Sequence, residues 1–104
     1  MMRKIILEKL KNEKRRYEKE GFIIVGFFGS YARLEEKLKS DLNILYELTD
    51  EFLSRYDGWD LYYRINQIKQ ELSKKFNMDI EIANKNALDD IGRYFIFRDL
   101  IYVS

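Results

Sequence analysis

The chain predicts an α/β (α+β) fold, a small mixed sheet with helices packed on one face, and three stretches carry that prediction. Phe22 to Phe28 is a continuous apolar, β-branched and aromatic run, the pattern of a buried strand. Asp41 to Leu48 alternates, with Leu42, Ile44, Tyr46 and Leu48 directed one way and Asp41, Asn43, Leu45 and Glu47 the other. Leu61, Ile65, Ile68, Leu72 and Phe76 recur at helical spacing, the strongest amphipathic stripe in the chain.

The remaining elements fall around these in order. Met2, Ile6, Leu10 and Tyr17 lie near helical spacing among charged residues, so an amphipathic helix is expected before Gly21. From Ser30 to about Leu38 the composition again favours a helix, with Ser30 as its cap and Glu35 and Glu36 in its early turns. Asp57-Gly58 breaks the chain before the long stripe. Met78, Ile80 and Ile82 alternate with Asp79 and Glu81, giving a third strand that turns carboxylates to one face. A last helix is expected from near Ala87 to Phe95, with Leu88, Ile91 and Phe95 inward, and then an extended tail at Leu100 to Val103.

The chain has 104 residues and no Pro, repeat or linker-like stretch, so residues 1–104 are read as one domain. Hydrophobic residues at 46%, aromatics at 15% and charged residues at 36% suit a soluble globular fold and argue against disorder. Nineteen basic and eighteen acidic residues leave a net charge of +1, which is no footprint for a dedicated nucleic-acid binder. The first twenty residues hold eight basic against four acidic side chains, a run that reads as a solvated helix face rather than a binding patch. No apolar run reaches the ~18 residues that a membrane span needs, and the charged N-terminal segment is not a signal peptide, so the expected location is the cytoplasm. With neither Cys nor His, thiol nucleophiles, imidazole bases and Ser-His-Asp triads are excluded. Any metal must be held by oxygen, which favours magnesium, manganese or calcium over zinc or copper.

One part of the chain speaks about chemistry. A strand ending at Phe28 runs into the Gly29-Ser30 turn, whose backbone N–H groups and hydroxyl can hold phosphate oxygens at a helix start. Ten residues separate Ser30 from Asp41, and Asp41 and Asn43 share one strand face, about 7 Å apart. A neighbouring strand can add a third oxygen donor, which is how a sheet builds a hard-metal site completed by water and substrate phosphates. Taken singly, each residue has a plainer role: Gly29-Ser30 as an ordinary capped turn, Asp41 as a solvent-facing strand start, and Asp79 and Glu81 as edge charges that discourage aggregation. Arg33 and Lys39 suit triphosphate charge or surface solvation equally, and Tyr31 and Tyr46 read as packing residues. The joint spacing is what points to a nucleotide.

Gly29-Ser30-Tyr31-Ala32-Arg33, the ten-residue gap and Ser40-Asp41-Leu42-Asn43-Ile44-Leu45 together resemble the signature of the minimal nucleotidyltransferases, small relatives of the DNA polymerase beta palm. Met78-Asp79-Ile80-Glu81-Ile82 is similar to the family's third-carboxylate strand, and Phe97 to Val103 to its usual ending. The resemblance implies transfer of a nucleoside monophosphate from a nucleoside triphosphate, usually ATP, with magnesium. It assigns Gly29 and Ser30, with Arg33, to the phosphates, and Asp41, Asn43 and Asp79 to the three metal-ligand positions, which read Asp, Asp and Asp in the family. It also implies a partner, since many such proteins resemble the antitoxin half of a pair whose toxin is an all-helical HEPN ribonuclease modified on a tyrosine.

Two departures follow. Leu34 stands where a Gly commonly follows the Ala-Arg pair, and Asn43 removes a negative charge from the metal cluster. An amide oxygen can ligate a hard cation, but it neutralises nothing and takes no proton from an attacking hydroxyl. Glu81 is a candidate replacement on the same strand face. Two functions therefore stay open: a magnesium-dependent transferase impaired at Asn43, or a degenerate module of the same fold that neutralises its partner by contact. Single-strand nucleic-acid binding ranks last for want of a basic groove. So small a domain is also expected to need a partner, or a second copy of itself, to complete the acceptor side.

Overall fold

The computed structural model describes residues 2–104. The elements are α1 (Met2–Glu18), β1 (Phe22–Phe28), α2 (Ser30–Arg33), β2 (Leu42–Leu48), α3 (Asp50–Arg55), α4 (Gly58–Phe76), β3 (Ile80–Asn84), α5 (Asp90–Asp99) and β4 (Ile101–Tyr102), with a single 3-10 turn at Lys85–Ala87. They form a four-stranded mixed sheet in the order β3-β2-β1-β4. β1 pairs antiparallel with both β2 and β4, while β2 and β3 run parallel.

The core lies between one face of the sheet and α1, α3 and α4. Ile6, Leu10 and Tyr17 from α1 meet Phe22, Ile24 and Phe27 from β1, Leu42, Ile44 and Tyr46 from β2, and Ile68, Leu72 and Phe76 from α4. The stripes predicted for α1 and α4 are the ones that bury, with Leu61 and Ile65 packed at the margin and Met2 left exposed. No helix among the described residues is long and apolar enough to cross a membrane.

A bulge sets the phase of β1. The register with β2 shifts between Ile24 and Gly26, so that Phe22, Ile24 and Phe27 face the core although their spacing is not uniform. Gly26 then faces the other way, where a Cβ would lie 2.2 Å from the Ile101 carbonyl oxygen and 3.0 Å from Leu100 Cδ1. Only glycine lets β4 approach so closely. Val25 and Leu45 are buried outside the main core cluster. The opposite face is therefore not bare: Leu100 reaches it at Gly26, and α5 contacts β1.

Three elements differ from the sequence reading. The helix expected from Ser30 to about Leu38 stops at Arg33, because Leu34 takes a left-handed conformation (φ 62) and its N–H, with that of Glu35, bonds back to the Ser30 carbonyl. Leu38 is consequently fully exposed. α3 was not anticipated between Leu48 and Gly58: Thr49 caps it by accepting from the Phe52 N–H at 3.3 Å, Asp50 and Glu51 occupy its first turn, and Phe52 is its one buried residue. The last helix starts at Asp90 rather than Ala87, with Asp89 accepting from Gly92 N–H at 2.7 Å, and Ile91 and Phe95 are exposed rather than inward.

A charged clamp ties the turn after α1 to α4. Arg64 donates to both Glu20 carboxylate oxygens, at 2.8 and 2.7 Å, with side chains only 16% and 17% exposed, and Tyr56 donates at 3.2 Å. The Arg64 hydrogen bond is the main cause that holds the Glu20 carboxyl below its ordinary 4.5. A carboxyl depressed in the folded state stabilises above its unfolded value and loses that contribution as pH falls through the folded one. Glu20→Gln is thus expected to cost about 1.5–3 kcal/mol at neutral pH and progressively less below pH ~4. Melting temperatures of both proteins across pH 3 to 7 check this; a gap that stays constant would contradict it.

Candidate functional site

The site is built where β1 leaves the sheet. Phe28, the last residue of β1, pairs with Asn43 on β2, which brings the turn after Phe28 against the Asn43 side chain. Gly29 there has φ 83 and ψ −153, a region that side chains rarely tolerate, and a Cβ would lie 2.3 Å from Asn43 Nδ2. The glycine is required by its torsions, and a Cβ would in addition push the Asn43 amide aside. Gly29, not Ser30 as expected, occupies the cap position of α2, and its carbonyl accepts from Arg33 N–H at 3.0 Å. Ser30 is the first residue of α2. With four residues α2 has little dipole, so any hold on an anion rests on the turn's own N–H groups and the Ser30 hydroxyl.

The chain returns to β2 through a second turn. Ser40 N–H donates to the Lys37 carbonyl at 3.0 Å, and the Ser40 hydroxyl accepts from Lys37 N–H at 2.7 Å. Asp41 follows, exposed and without an ion pair among the described residues, immediately before β2. The result is an open cleft of about 470 Å³ that brings together Gly29, Ser30, Arg33, Asp41 and Asn43.

Asp79 is not in that cleft. The parallel register pairs Asn43 with Glu81, so Glu81 stands level with the second ligand position, whereas Asp79 precedes β3 and only its backbone carbonyl joins the ladder, accepting from Leu42 N–H at 2.9 Å. Asp41 thus meets Asn43 in one space and Asp79 in another. Asp41, Asp79 and Glu81 instead line an adjacent groove of about 300 Å³ with Lys69 and Ser73, and Asp41 divides the two spaces. Among the described residues no three acidic side chains converge tightly enough to form a carboxylate cage. The exposed Lys69–Glu81 pair, at 3.7 Å, is of a kind that contributes little and exchanges readily.

The donor set still suits one hard cation. Asp41 supplies a carboxylate and Asn43, two residues on, a neutral amide oxygen in the cleft, while Glu81, level with Asn43 in the ladder, supplies a second carboxylate to the adjacent groove that Asp41 also lines. Magnesium takes one or two protein carboxylates and fills the rest of its shell with water and phosphate. The set is short of charge for a pair of ions.

The far wall of the cleft comes from α5, which the sequence reading did not connect to the site. Phe95, Ile96, Arg98 and Asp99 line it. Arg33 donates to Glu35 at 2.6 Å and to Asp99 at 2.9 Å, and these two bonds, in that order, hold its guanidinium above its ordinary range. Asp99 is correspondingly lowered, chiefly by Arg33. The predicted phosphate ligand Arg33 thus lies in the cleft but is braced against α5, and the Arg98-Asp99 pair in the family-like ending was the signal that could have revealed it.

No family model and no curated protein matches the chain. It is similar to a solved structure provisionally assigned as a minimal nucleotidyltransferase, at 23% identity and a TM-score of 0.63, over 91% of this chain and 93% of that one. What the two share at this distance is the architecture, and the chain accordingly has the nucleotidyltransferase fold.

Proposed function

We propose that this chain is a minimal nucleotidyltransferase of the cytoplasm that takes a nucleoside triphosphate, ATP foremost, and transfers its nucleoside monophosphate to a hydroxyl of a protein partner. A HEPN-type toxin is the partner the resemblance implies, with this chain as its antitoxin. One observation supports the reading above all: Gly29, Ser30, Asp41 and Asn43 line a single cleft of a nucleotidyltransferase fold.

In this reading the Gly29-Ser30 turn holds the phosphate tail, and Arg33, kept in place by Asp99, balances its charge. Asp41, with Asn43 and Glu81 beside it, is the seat for magnesium, which when bound neutralises phosphate charge and polarises the reacting phosphoryl group. The acceptor oxygen forms a bond to the α-phosphorus, the bond from that phosphorus to the bridging oxygen breaks, and pyrophosphate leaves. Asn43 has no capacity for the acceptor's proton, so Asp41, the unpaired carboxylate of the cleft, is the group to take it.

A second reading is favoured by one particular feature, the replacement of a carboxylate by Asn43 in a site where no three acids converge. There the chain keeps the fold and neutralises its partner by contact alone. Incubation with labelled ATP, magnesium and a HEPN-type protein encoded next to this chain separates the two: label on the partner supports the transferase, and a tight unlabelled complex supports the module. Asn43→Asp extends the test. Adding the missing charge is expected to strengthen magnesium binding by roughly tenfold and to raise transfer with it. No gain in either would mean that the transferase reading fails at its metal seat.

A further inference from the structure

α5 carries an arrangement that its packing does not explain. None of its ten residues is buried, and Tyr94 and Phe95 stand 63% and 52% exposed. The two rings nonetheless hold each other edge to face at 5.2 Å, and the Arg98 guanidinium lies over both, 5.2 Å from the Phe95 centroid and 5.9 Å from that of Tyr94. Arg98 is in turn held by Asp99, at 3.4 Å, and Asp99 by Arg33. An exposed aromatic side chain is thus kept in one orientation by neighbours that end at the proposed phosphate ligand. Of the two rings, Phe95 is the one that lines the cleft, together with Ile96 and across from Ser30 and Asp41.

We infer that Phe95, backed by Arg98, is the platform on which the base of the bound nucleotide stacks. This rests on the reading of the cleft as a triphosphate site. A nucleotide has a charged tail and a flat, apolar-faced base, and the two halves of this cleft divide the same way: glycine turn, serine and aspartate on one wall, aromatic ring and aliphatic side chain on the other. Stacking on an aromatic ring with a guanidinium nearby is worth enough to hold a base, and every base has the π-face it needs. Apart from Arg98, whose charge a base can share, this wall brings no free side-chain donor or acceptor. Phe95 is therefore a binding residue for bases in general, with larger purine rings favoured by area, rather than a reader of base edges.

The test compares ATP with inorganic tripolyphosphate, both with magnesium, by calorimetry on the whole chain. Wild type is expected to bind ATP more tightly than tripolyphosphate. Phe95→Ala is expected to weaken ATP about tenfold while leaving tripolyphosphate unchanged, and Phe95→Tyr to restore ATP binding. Because Phe95 is exposed, the alanine variant is expected to fold, which circular dichroism verifies. Equal affinity of wild type for both ligands, or an unchanged ATP affinity in Phe95→Ala, overturns the platform but leaves the phosphate site standing. Loss of partner binding in Phe95→Ala without any effect on ATP also overturns it and makes the ring a protein contact. If wild type binds neither ligand, the triphosphate site itself is wrong and the platform falls with it.

Discussion

Gly29→Ala is expected to remove triphosphate binding while leaving most of the fold intact. The backbone at Gly29 has φ 83 and ψ −153, and a methyl group there would lie 2.3 Å from Asn43 Nδ2. Holding a non-glycine residue in such a region costs about 1–3 kcal/mol, and the overlap with Asn43 adds to it. The turn cannot relax by sliding, because Phe28 and Asn43 are paired across β1 and β2 immediately beside it. The Asn43 amide can swing aside, but the torsions cannot be kept, and relieving them rotates the turn and carries the N–H groups of Ser30 and Tyr31 away from the cleft. Losing the hydrogen bonds that these N–H groups make to charged phosphate, at about 1.5–3 kcal/mol each, is expected to lower the affinity for magnesium and ATP on the order of a hundredfold. Calorimetry with a thermal melt on the same sample checks both parts: a melting temperature lowered modestly and a binding signal lost. Ser30→Ala, which deletes one hydroxyl and leaves the turn alone, is expected to do much less.

The second large effect concerns stability. Phe22→Ala should cost about 3–5 kcal/mol, out of the ~5–15 typical of a whole domain. Phe22 is fully buried at the meeting point of four elements: its ring stacks on Tyr46 at 4.6 Å and 15°, and lies 6.1 Å from both Tyr17 and Phe52. Removing it leaves a cavity that α1, β2 and α3 would have to fill together. None of the three can move alone, since Tyr17 also donates to Glu71 at 2.7 Å and α3 is seated by Phe52. Urea unfolding followed by circular dichroism gives the value. Phe22→Leu, which keeps most of the volume, is expected to cost well under half as much, and equal losses would show that ring stacking, not volume, holds this core together.

Much of this fold was legible from periodicity alone. Strand β1 has the predicted ends, and the stripes of α1 and α4 are the buried ones, because in those stretches burial and pattern are the same statement. Pattern failed where burial does not drive the structure. α3 buries one residue in six, too few for a period, and only its cap and end charges signal a helix. α2 ends early because Leu34 accepts a left-handed conformation that the composition gives no reason to expect. Phe95 and Ile91 read as core since apolar residues at helical spacing look alike whether they meet a sheet or an open cleft.

The site divides in the same way. Gly29, Ser30, Asp41 and Asn43 could be placed together because a turn and two adjacent antiparallel strands leave little freedom. The third acidic position could not, because Asp79 and Glu81 share a strand face and only the register with β2 decides between them. That register is set by Leu42 against Ile80, core residues that carry no mark of the chemistry one position away. The part played by α5 was hidden for a related reason: Asp99 lies sixty-six residues from Arg33, and nothing local in either segment announces the bond.

The most direct test of the central claim is an amide-resolved titration of the isotopically labelled chain with ATP in the presence of magnesium. Saturable shifts are expected at Gly29, Ser30, Tyr31, Asp41 and Asn43, weaker in Ser30→Ala and absent in Gly29→Ala. Shifts confined to the groove around Asp79 and Ser73, or none that saturate, would contradict it.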